Sequence, residues 1–393
     1  MQRQSVIVAA KRTPIGAFQG NLSSVLAPKL GAIAIKAVVE ETGIDKSQIN
    51  EVIMGNVLSA GIGQAPARQA SIQAGLPNSV EALTINKMCG SGLKAVMMAD
   101  QVIRGGDADV VIAGGMESMS NAPYLLQNAR AGQRLGHGKM IDSMIHDGLW
   151  DAYNDTHMGN CAEMLSKDRN YTREAQDEFA VISYKRAQKA QAEGVFDSEI
   201  VSVEIPQRNG NPIKVLEDEE PGKARFDKIS TLRPAFEKDG AITAANASKL
   251  NDGAAAVLIM SAEKANELGL SPIARINAQA SAAHEPEWFT TAPGKAIGKV
   301  LKKANLSAND IGLWEINEAF SVVTMATIDD FKIDPAKVNI YGGAVAIGHP
   351  IGASGARIFT TLMNGMVRTE TKYGLATLCI GGGEASALIV EKV

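Results

Sequence analysis

Cysteine is scarce in this chain: Cys89, Cys161 and Cys379 are the only three in 393 residues. Three widely spaced cysteines argue against a disulfide framework, and without a CxxC pair there is no zinc ribbon, so no metal is expected. Aromatic residues are few, at 5%. Excess charge is missing too. The 39 Lys and Arg against 43 Asp and Glu leave a net of −4, which argues against nucleic acid or an anionic membrane as the main partner. No apolar run approaches the ~20 residues that span a bilayer. The opening, Met1-Gln-Arg-Gln-Ser-Val-Ile-Val-Ala-Ala10, enters a strand-like run without the longer apolar stretch of a signal peptide. The closing Ala-Leu-Ile-Val-Glu-Lys-Val393 carries no targeting address. A cytoplasmic protein is expected.

What is abundant is small and apolar. Hydrophobic residues make up 45% and glycines number 38, enough for a sizeable core with close backbone approaches. The length predicts two packed domains. Strands are expected at 5–10, 51–59, 82–86 and 109–113, with helices at 29–41, 64–74 and about 91–104 between them. The same grammar returns after about residue 270, with strands at 273–280, 311–317, 337–341, 374–380 and 385–390. Helices there fall at 293–304, 319–330 and from about 354. This order predicts a mostly parallel sheet covered by helices. Ser91-Gly-Leu-Lys94 parallels Ser354-Gly-Ala-Arg357 at an offset of 263 residues, and Ala113-Gly-Gly-Met-Glu117 parallels Ile380-Gly-Gly-Gly-Glu384 at 267. Two such similar offsets suggest one duplicated unit.

A less regular stretch, about 121–240, separates the halves. It contains one clear helix at 172–193, with Thr172 as N-cap, Glu174 in the first turn and Phe179, Ile182, Ala187 and Ala190 on one face. A long loop-rich insertion of this kind is expected to cover a ligand.

Cys89 stands at a strand-to-helix turn, in Lys87-Met-Cys-Gly-Ser-Gly92. Unpaired N–H groups and the positive end of the helix dipole would lower its pKa and favour thiolate. His349 lies in the glycine-rich run Tyr341–Arg357, where a neutral imidazole can take a proton from Cys89. Cys379 ends a buried strand ahead of Gly381-Gly-Gly383, whose N–H groups can form an anion nest. Its alternative is a plain core cysteine. Asn317 closes a strand in Asn317-Glu-Ala-Phe-Ser321, where its amide either caps the next helix, or orients a water or donates to an oxyanion. His157 is either a ligand contact or a surface residue. Cys161 reads as structural, and His137, His146 and His284 lack supporting context.

Taken together these residues resemble the thiolase family over the whole chain. Asn86–Val96 (NKMCGSGLKAV) is similar to its nucleophile motif, Asn317–Ser321 (NEAFS) to its NEAF motif, Gly342–Arg357 to its GHP motif and Cys379–Glu384 (CIGGGE) to its C-terminal cysteine motif. The resemblance implies the α/β thiolase fold, two similar βαβαβαββ halves packed together with a loop domain inserted in the N-terminal half. The expected division is 1–120 and 241–270 for the first half, 121–240 for a loop domain covering the coenzyme A site, and 271–393 for the second half. It implies reversible Claisen condensation of two acetyl-CoA molecules to acetoacetyl-CoA and CoA, with CoA thioesters as substrates and no cofactor. By carry-over Cys89 takes the acyl group, His349 activates it and Cys379 moves the α-proton. His349 with an Asn317-bound water would hold one oxyanion, and the N–H groups of Cys89 and Gly381 the other. The family also implies a homotetramer.

Leu149, His157, Met158, Ala244, Ser248, Phe289, Ala319 and Phe320 match positions lining the family's pantetheine and acyl pocket. The bulk of Met158 and Phe289 would shorten the acyl tunnel, and Asp151–Glu163 resembles the short-chain acetoacetyl-CoA branch. The alternative is a broader-range 3-ketoacyl-CoA thiolase. Lys223, Arg225 and Lys228 are the candidates for the CoA phosphates. Two positions depart from the family: Lys249 stands where a small residue is usual, and Ala385 where glycine often follows the cysteine motif. Decarboxylating ketoacyl synthases share the fold but lack the second cysteine, so Cys379 argues against them. The complete set Cys89, His349, Cys379 and Asn317 argues against a non-catalytic acyl carrier. A cysteine hydrolase is not excluded by sequence.

Overall fold

A computed structural model describes residues 3–393. Its first half runs β1 (Ser5–Arg12), α1 (Ala27–Thr42), β2 (Glu51–Gly55), α2 (Pro66–Gln73), β3 (Glu81–Ile85), α3 (Ser91–Gly105) and β4 (Val110–Ser118). An excursion then carries α4 (Met158–Asp168) and α5 (Arg173–Ala192), and the chain returns as β5 (Asn251–Ser261) and the short α6 (Ala262–Glu267). The second half runs β6 (Ala274–Ala283), α7 (Ala292–Ala304), β7 (Leu313–Ile316), α8 (Ser321–Phe331), α9 (Ala344–Ile347), α10 (Ser354–Thr369), β8 (Tyr373–Ile380) and β9 (Glu384–Lys392).

Nine of these strands share one ten-stranded sheet in the order β7-β8-β9-β6-β1-β5-β4-β2-β3, the tenth strand being Gly16–Ala17 against the start of β5. The sheet is mixed rather than mostly parallel. Parallel pairing is confined to β2 with β3 and β4, and to β7 with β8, where helices make the crossovers. The return strand β5 and the hairpin β8–β9 need no crossover, so the centre is antiparallel.

Burial explains the layering. Leu30, Ile35 and Val38 of α1 pack on Val52, Met54, Ile112 and Leu258, covering one face of the first half. Ile297 and Val300 of α7 pack on Trp314, Leu375 and Ile389, covering the outer face of the second. Between them α3 and α10 lie against each other, with Leu93, Val96 and Met97 meeting Ile358, Phe359 and Leu362 inside a shell that includes Ile53, Val257 and Leu378. Each of these large buried side chains contributes roughly 1.5–3 kcal/mol. The duplicated Ser-Gly pairs are where the two central helices touch. A Cβ on Gly92 would run into the backbone nitrogen of Ala356, and one on Gly355 into that of Leu93. Only glycine permits this backbone-to-backbone approach.

Three sequence expectations are corrected. The sequence predicts no strand in the return segment, yet Asn251–Ser261 is a fully buried strand near the centre of the sheet. Its Gly-Ala-Ala-Ala run has no alternating pattern because both faces are covered. The expected strand at 337–341 is reduced to a single bridge between Trp314 and Val338. Asn339 sits at φ 45°, which ends the extended run, and its side chain replaces the lost ladder. The Asn339 amide accepts from Ile316 N–H and donates to Ile316 carbonyl, both at 2.8 Å. Finally, α5 begins at the expected Thr172 cap, whose hydroxyl accepts from Ala175 N–H, but its buried face is Ala180, Ser183, Tyr184, Ala187 and Ala190. Phe179 is half-buried and Ile182 is exposed.

Candidate active site

Between β3 and α3 the chain turns sharply. Met88 takes the left-handed φ of 48°, with its N–H held by Asn86 Oδ1 at 2.9 Å. Ser91 Oγ accepts from Lys87 N–H at 2.8 Å and donates to Met88 carbonyl at 2.7 Å. Cys89 is thereby fixed half-buried, just before the Gly90 N-cap of α3. A Cβ on Gly90 would overlap Ile380, so its absence lets the end of β8 close on the turn.

The expected thiolate is not found. Burial pushes the Cys89 thiol up to about 11, although the N–H groups of Gly381 and of Cys89 itself pull it down. Magnitudes explain the outcome. A helix terminus is worth about 0.3–1 kcal/mol, less than one pKa unit, whereas desolvation can reach 3–5 units. Cys89 is a neutral thiol at neutral pH and needs a base.

His349 is placed to be that base. It is buried, and its backbone N–H donates to Asn251 Oδ1 at 2.8 Å. Its Nδ1 is in close contact with Ser354 Oγ, whose one hydrogen goes to Pro350 carbonyl at 2.8 Å. Ser354 therefore accepts from Nδ1–H, which leaves the lone pair on Nε2. Burial, helped by the charge of Arg357, pushes the imidazole down to about 3. It is neutral and ready to accept a proton throughout the working range.

Asn317 does not cap α8. That helix starts at Ser321 with Phe320 as N-cap and no side-chain cap bond. Instead Asn317 Nδ2 lies 3.5 Å from His349 Nε2, and its buried Oδ1 has no partner among the described residues. Cys379 is buried near the end of β8, among Cys161, Phe289, Ala319 and Phe320. Burial, with the Cys89 sulfur next, holds its thiol well above the usual range. The two sulfurs are close enough to feel each other's charge. Beyond Cys379 the N–H of Gly381 donates to Cys89 sulfur, and Gly382 and Gly383 turn the chain at φ 91° and 82°.

The glutamates ending the duplicated Gly-Gly motifs tie the halves together. Glu117, in the first half, accepts from Gly352 N–H at 2.9 Å in the histidine loop and from Val57, Leu58 and Asn56. Glu384, in the second half, pairs with Lys87 at 2.6 Å in the cysteine turn. Each half braces the other's reactive loop.

Cys89, His349 and Gly381 open onto one cavity of about 400 Å³. All eight of the expected pocket residues line it: Leu149, His157, Met158, Ala244, Ser248, Phe289, Ala319 and Phe320. His157 caps α4 through Nδ1, which accepts from Gly159 N–H at 3.0 Å, and stacks on Phe236 with ring centroids 4.7 Å apart. Cys379 lies behind this wall and does not line it. Lys223, Arg225 and Lys228 are not brought here. They line an adjoining cavity of about 250 Å³ that shares Ala244 and Lys249 with the first. Sequence reasoning missed Met119, Met144, Ile145, Phe236, Leu250 and Ile351 in the wall, because they come from irregular loops where no periodicity marks a face. It also missed Ser354 and Glu117; the repeat offsets were the one signal that singled out their positions. Among the described residues no group of three or more His, Cys, Asp or Glu is arranged to hold a metal, and no helix is long and apolar enough to cross a membrane.

A neutral nucleophilic thiol and a lone-pair imidazole on one apolar cavity, with a second thiol close behind its wall, define a thiol-dependent acyl-transfer site. Comparison with known proteins gives the lineage. The family models for the thiolase N-terminal and C-terminal domains match residues 5–263 and 270–392. An acetyl-CoA acetyltransferase of Cupriavidus necator is 54% identical over 98% of this chain and 99% of its own. One from Schizosaccharomyces pombe is 50% identical over 98% of each. The crystal structure of a thiolase from Ascaris suum in complex with coenzyme A superposes with a TM-score of 0.94 at 44% identity, covering 99% of this chain and all of that one. The acetyl-CoA acetyltransferase of Bacillus anthracis gives 0.97 at 40% identity, covering 100% and 99%. The chain belongs to the thiolase family and has the thiolase fold.

Proposed function

We propose that the protein is an acetyl-CoA C-acetyltransferase, joining two acetyl-CoA molecules reversibly into acetoacetyl-CoA and CoA through an acetyl group on Cys89. The observation that carries this reading is the neutral Cys89 thiol and His349 on one cavity, with the second thiol of Cys379 buried behind the wall within electrostatic reach of the Cys89 sulfur. The names and identities of the relatives support it.

The steps balance on these residues. Cys89 gives its proton to His349 Nε2 and its sulfur attacks the first thioester carbonyl. CoA leaves with the proton of Cys379. The Cys379 thiolate then takes an α-proton from the second acetyl-CoA, and the enolate attacks acetyl-Cys89. Cys89 departs as the thiol, regaining the proton stored on His349. Two carbonyl oxygens gain negative charge along this route. The N–H groups of Cys89 and Gly381 serve one. His349 with a water on Asn317 serves the other, and the unmet Asn317 Oδ1 supplies the acceptor that such a water requires. Each donor is worth about 3–4 kcal/mol.

CoA thioesters are substrates and no cofactor is needed. Lys223, Arg225 and Lys228 meet the CoA phosphates at the adjoining cavity. Met158 and Phe289 in the wall favour short acyl chains over the broader 3-ketoacyl-CoA range, which a chain-length series of thiolysis rates reads directly. The reading extends to a homotetramer in the cytoplasm. Exposed Tyr124, Leu126, Leu135 and Met140 on the loop excursion support the assembly, and three free cysteines suit a reducing compartment. Acetyl-CoA alone should leave one acetyl group on Cys89 by intact mass, and Cys89→Ser should abolish it along with thiolysis of acetoacetyl-CoA. Full thiolysis by that variant defeats the reading. Cys379→Ala should keep a slower acetylation, in which CoA leaves as its thiolate and takes a proton from water, and lose the condensation; equal loss of both rejects the division of labour.

A further inference from the structure

Lys249 takes no part in the chemistry above, yet it stands in the wall shared by the two cavities, next to Ser248. Its ammonium donates to Ala247 carbonyl at 2.7 Å and Val345 carbonyl at 3.3 Å, and lies 5.5 Å from the centre of the Tyr184 ring. An ammonium has three N–H donors, so one remains after the two carbonyls. Val345 lies four residues before His349, in α9, which leads to it. Its N–H is held from the other side by Glu318, which also accepts from Ser183 and Asn339. The run into the base is thus gripped at Val345 by a carboxylate on its N–H and an ammonium on its carbonyl.

The charges facing Lys249 come from three directions. Glu220 and Glu318 favour its protonation, while burial outweighs them and pushes it down to about 8. Tyr184 is held neutral by burial and by the same two carboxylates. Lys223, Arg225 and Lys228 stand around the adjoining cavity.

We infer that Lys249 is a binding and positioning residue. Its remaining N–H meets a hydrogen-bond acceptor on the CoA portion of the thioester, beyond the cysteamine amide, where the two cavities join. Its grip on Val345 carries that contact to His349. This rests on the reading of the cavity as a CoA-thioester site.

The test compares acetylation of Cys89 by acetyl-CoA and by acetyl-N-acetylcysteamine, a thioester lacking the rest of CoA, followed by intact mass in single turnover. A charged hydrogen bond of this kind corresponds to about tenfold or more in affinity. Lys249→Met should raise the half-saturating concentration of acetyl-CoA about tenfold and leave that of the truncated thioester unchanged, while lowering the maximal rate several-fold with both. The wild-type half-saturation for acetyl-CoA should also rise as the pH passes about 8 and the ammonium loses its proton; Lys249→Arg should abolish that rise. The last two measurements decide the matter even where Lys249→Met does not fold. Unchanged acetyl-CoA saturation in Lys249→Met, or an equal shift with both thioesters, overturns the inference alone, as does a wild-type saturation that is flat through pH 8. A wild type that takes no acetyl group from acetyl-CoA overturns the underlying reading and this inference with it.

Discussion

At the start of α3 the hydroxyl of Ser91 binds main chain, at Lys87 and Met88; at the start of α10 the equivalent hydroxyl of Ser354 binds the Pro350 carbonyl and the His349 imidazole. The two turns descend from one duplicated pattern and bring two helix starts face to face. They divide the work by what each holds. The first shapes a turn that leaves a sulfur half-buried and open to substrate. The second buries an imidazole and fixes which nitrogen carries hydrogen. Neither loop is reactive alone. Cys89 is protonated because its helix terminus is too weak to offset burial, and His349 has no substrate bond to break. Reactivity arises only where the halves meet, which is why Glu117 and Glu384 each brace the opposite loop.

The largest effect should come from removing the base. His349→Ala should lower the rate of Cys89 acetylation by about 10²–10⁴-fold, the usual contribution of general base catalysis, with Cys89 still titrating near 11. A thiol that becomes acidic in this variant would mean that the turn before α3 activates its cysteine unaided. The next effect separates the serines. Ser354→Ala should lower the acetylation rate, within the about 10²–10⁴-fold that the base contributes, by freeing the imidazole to swap tautomers. Ser91→Ala should cost about 1–3 kcal/mol in urea unfolding, because Lys87 N–H is left unmatched in a partly buried turn. Equal kinetic losses in both would mean that the two serines do the same work. The smallest effect is in pH dependence. The imidazole of His349 titrates at about 3 in the fold against 6.5 unfolded, so the unfolded chain binds more protons between those values. Stability should fall as pH drops below 6.5, by at most about 1.4 kcal/mol per unit. Buried Glu117 and Glu315, pushed up to about 7 and 8, act in the opposite direction. The difference between wild type and His349→Asn in unfolding at pH 7 and pH 5 isolates the histidine, and parallel curves would refute the assignment.

Much of this was legible in residues. The β–α alternation, the paired Gly motifs and the four family motifs located both cysteines, the histidine and the asparagine, and every expected pocket residue except the three cations lines the main cavity. The failures have physical causes. Residues 251–261 show no period because both faces of β5 are covered. Residues 337–341 are extended in pattern, but one left-handed asparagine ends the strand and mimics it with a side chain. The acidity of Cys89 was misjudged because dipole and burial compete, and sequence shows only the first. Lys249 reads as a mere departure until its carbonyl partners are seen, Ala247 in its own segment and Val345 in α9.

The meeting of Gly92 with Ala356 and of Gly355 with Leu93 bears on how the enzyme responds to heat. Where these helix starts touch, each glycine lies against backbone, so no long side chain stands at that point to loosen the gap between nucleophile and base in steps before the whole molecule gives way. Warming should therefore speed turnover smoothly up to the melting point, and catalysis and ellipticity should vanish together.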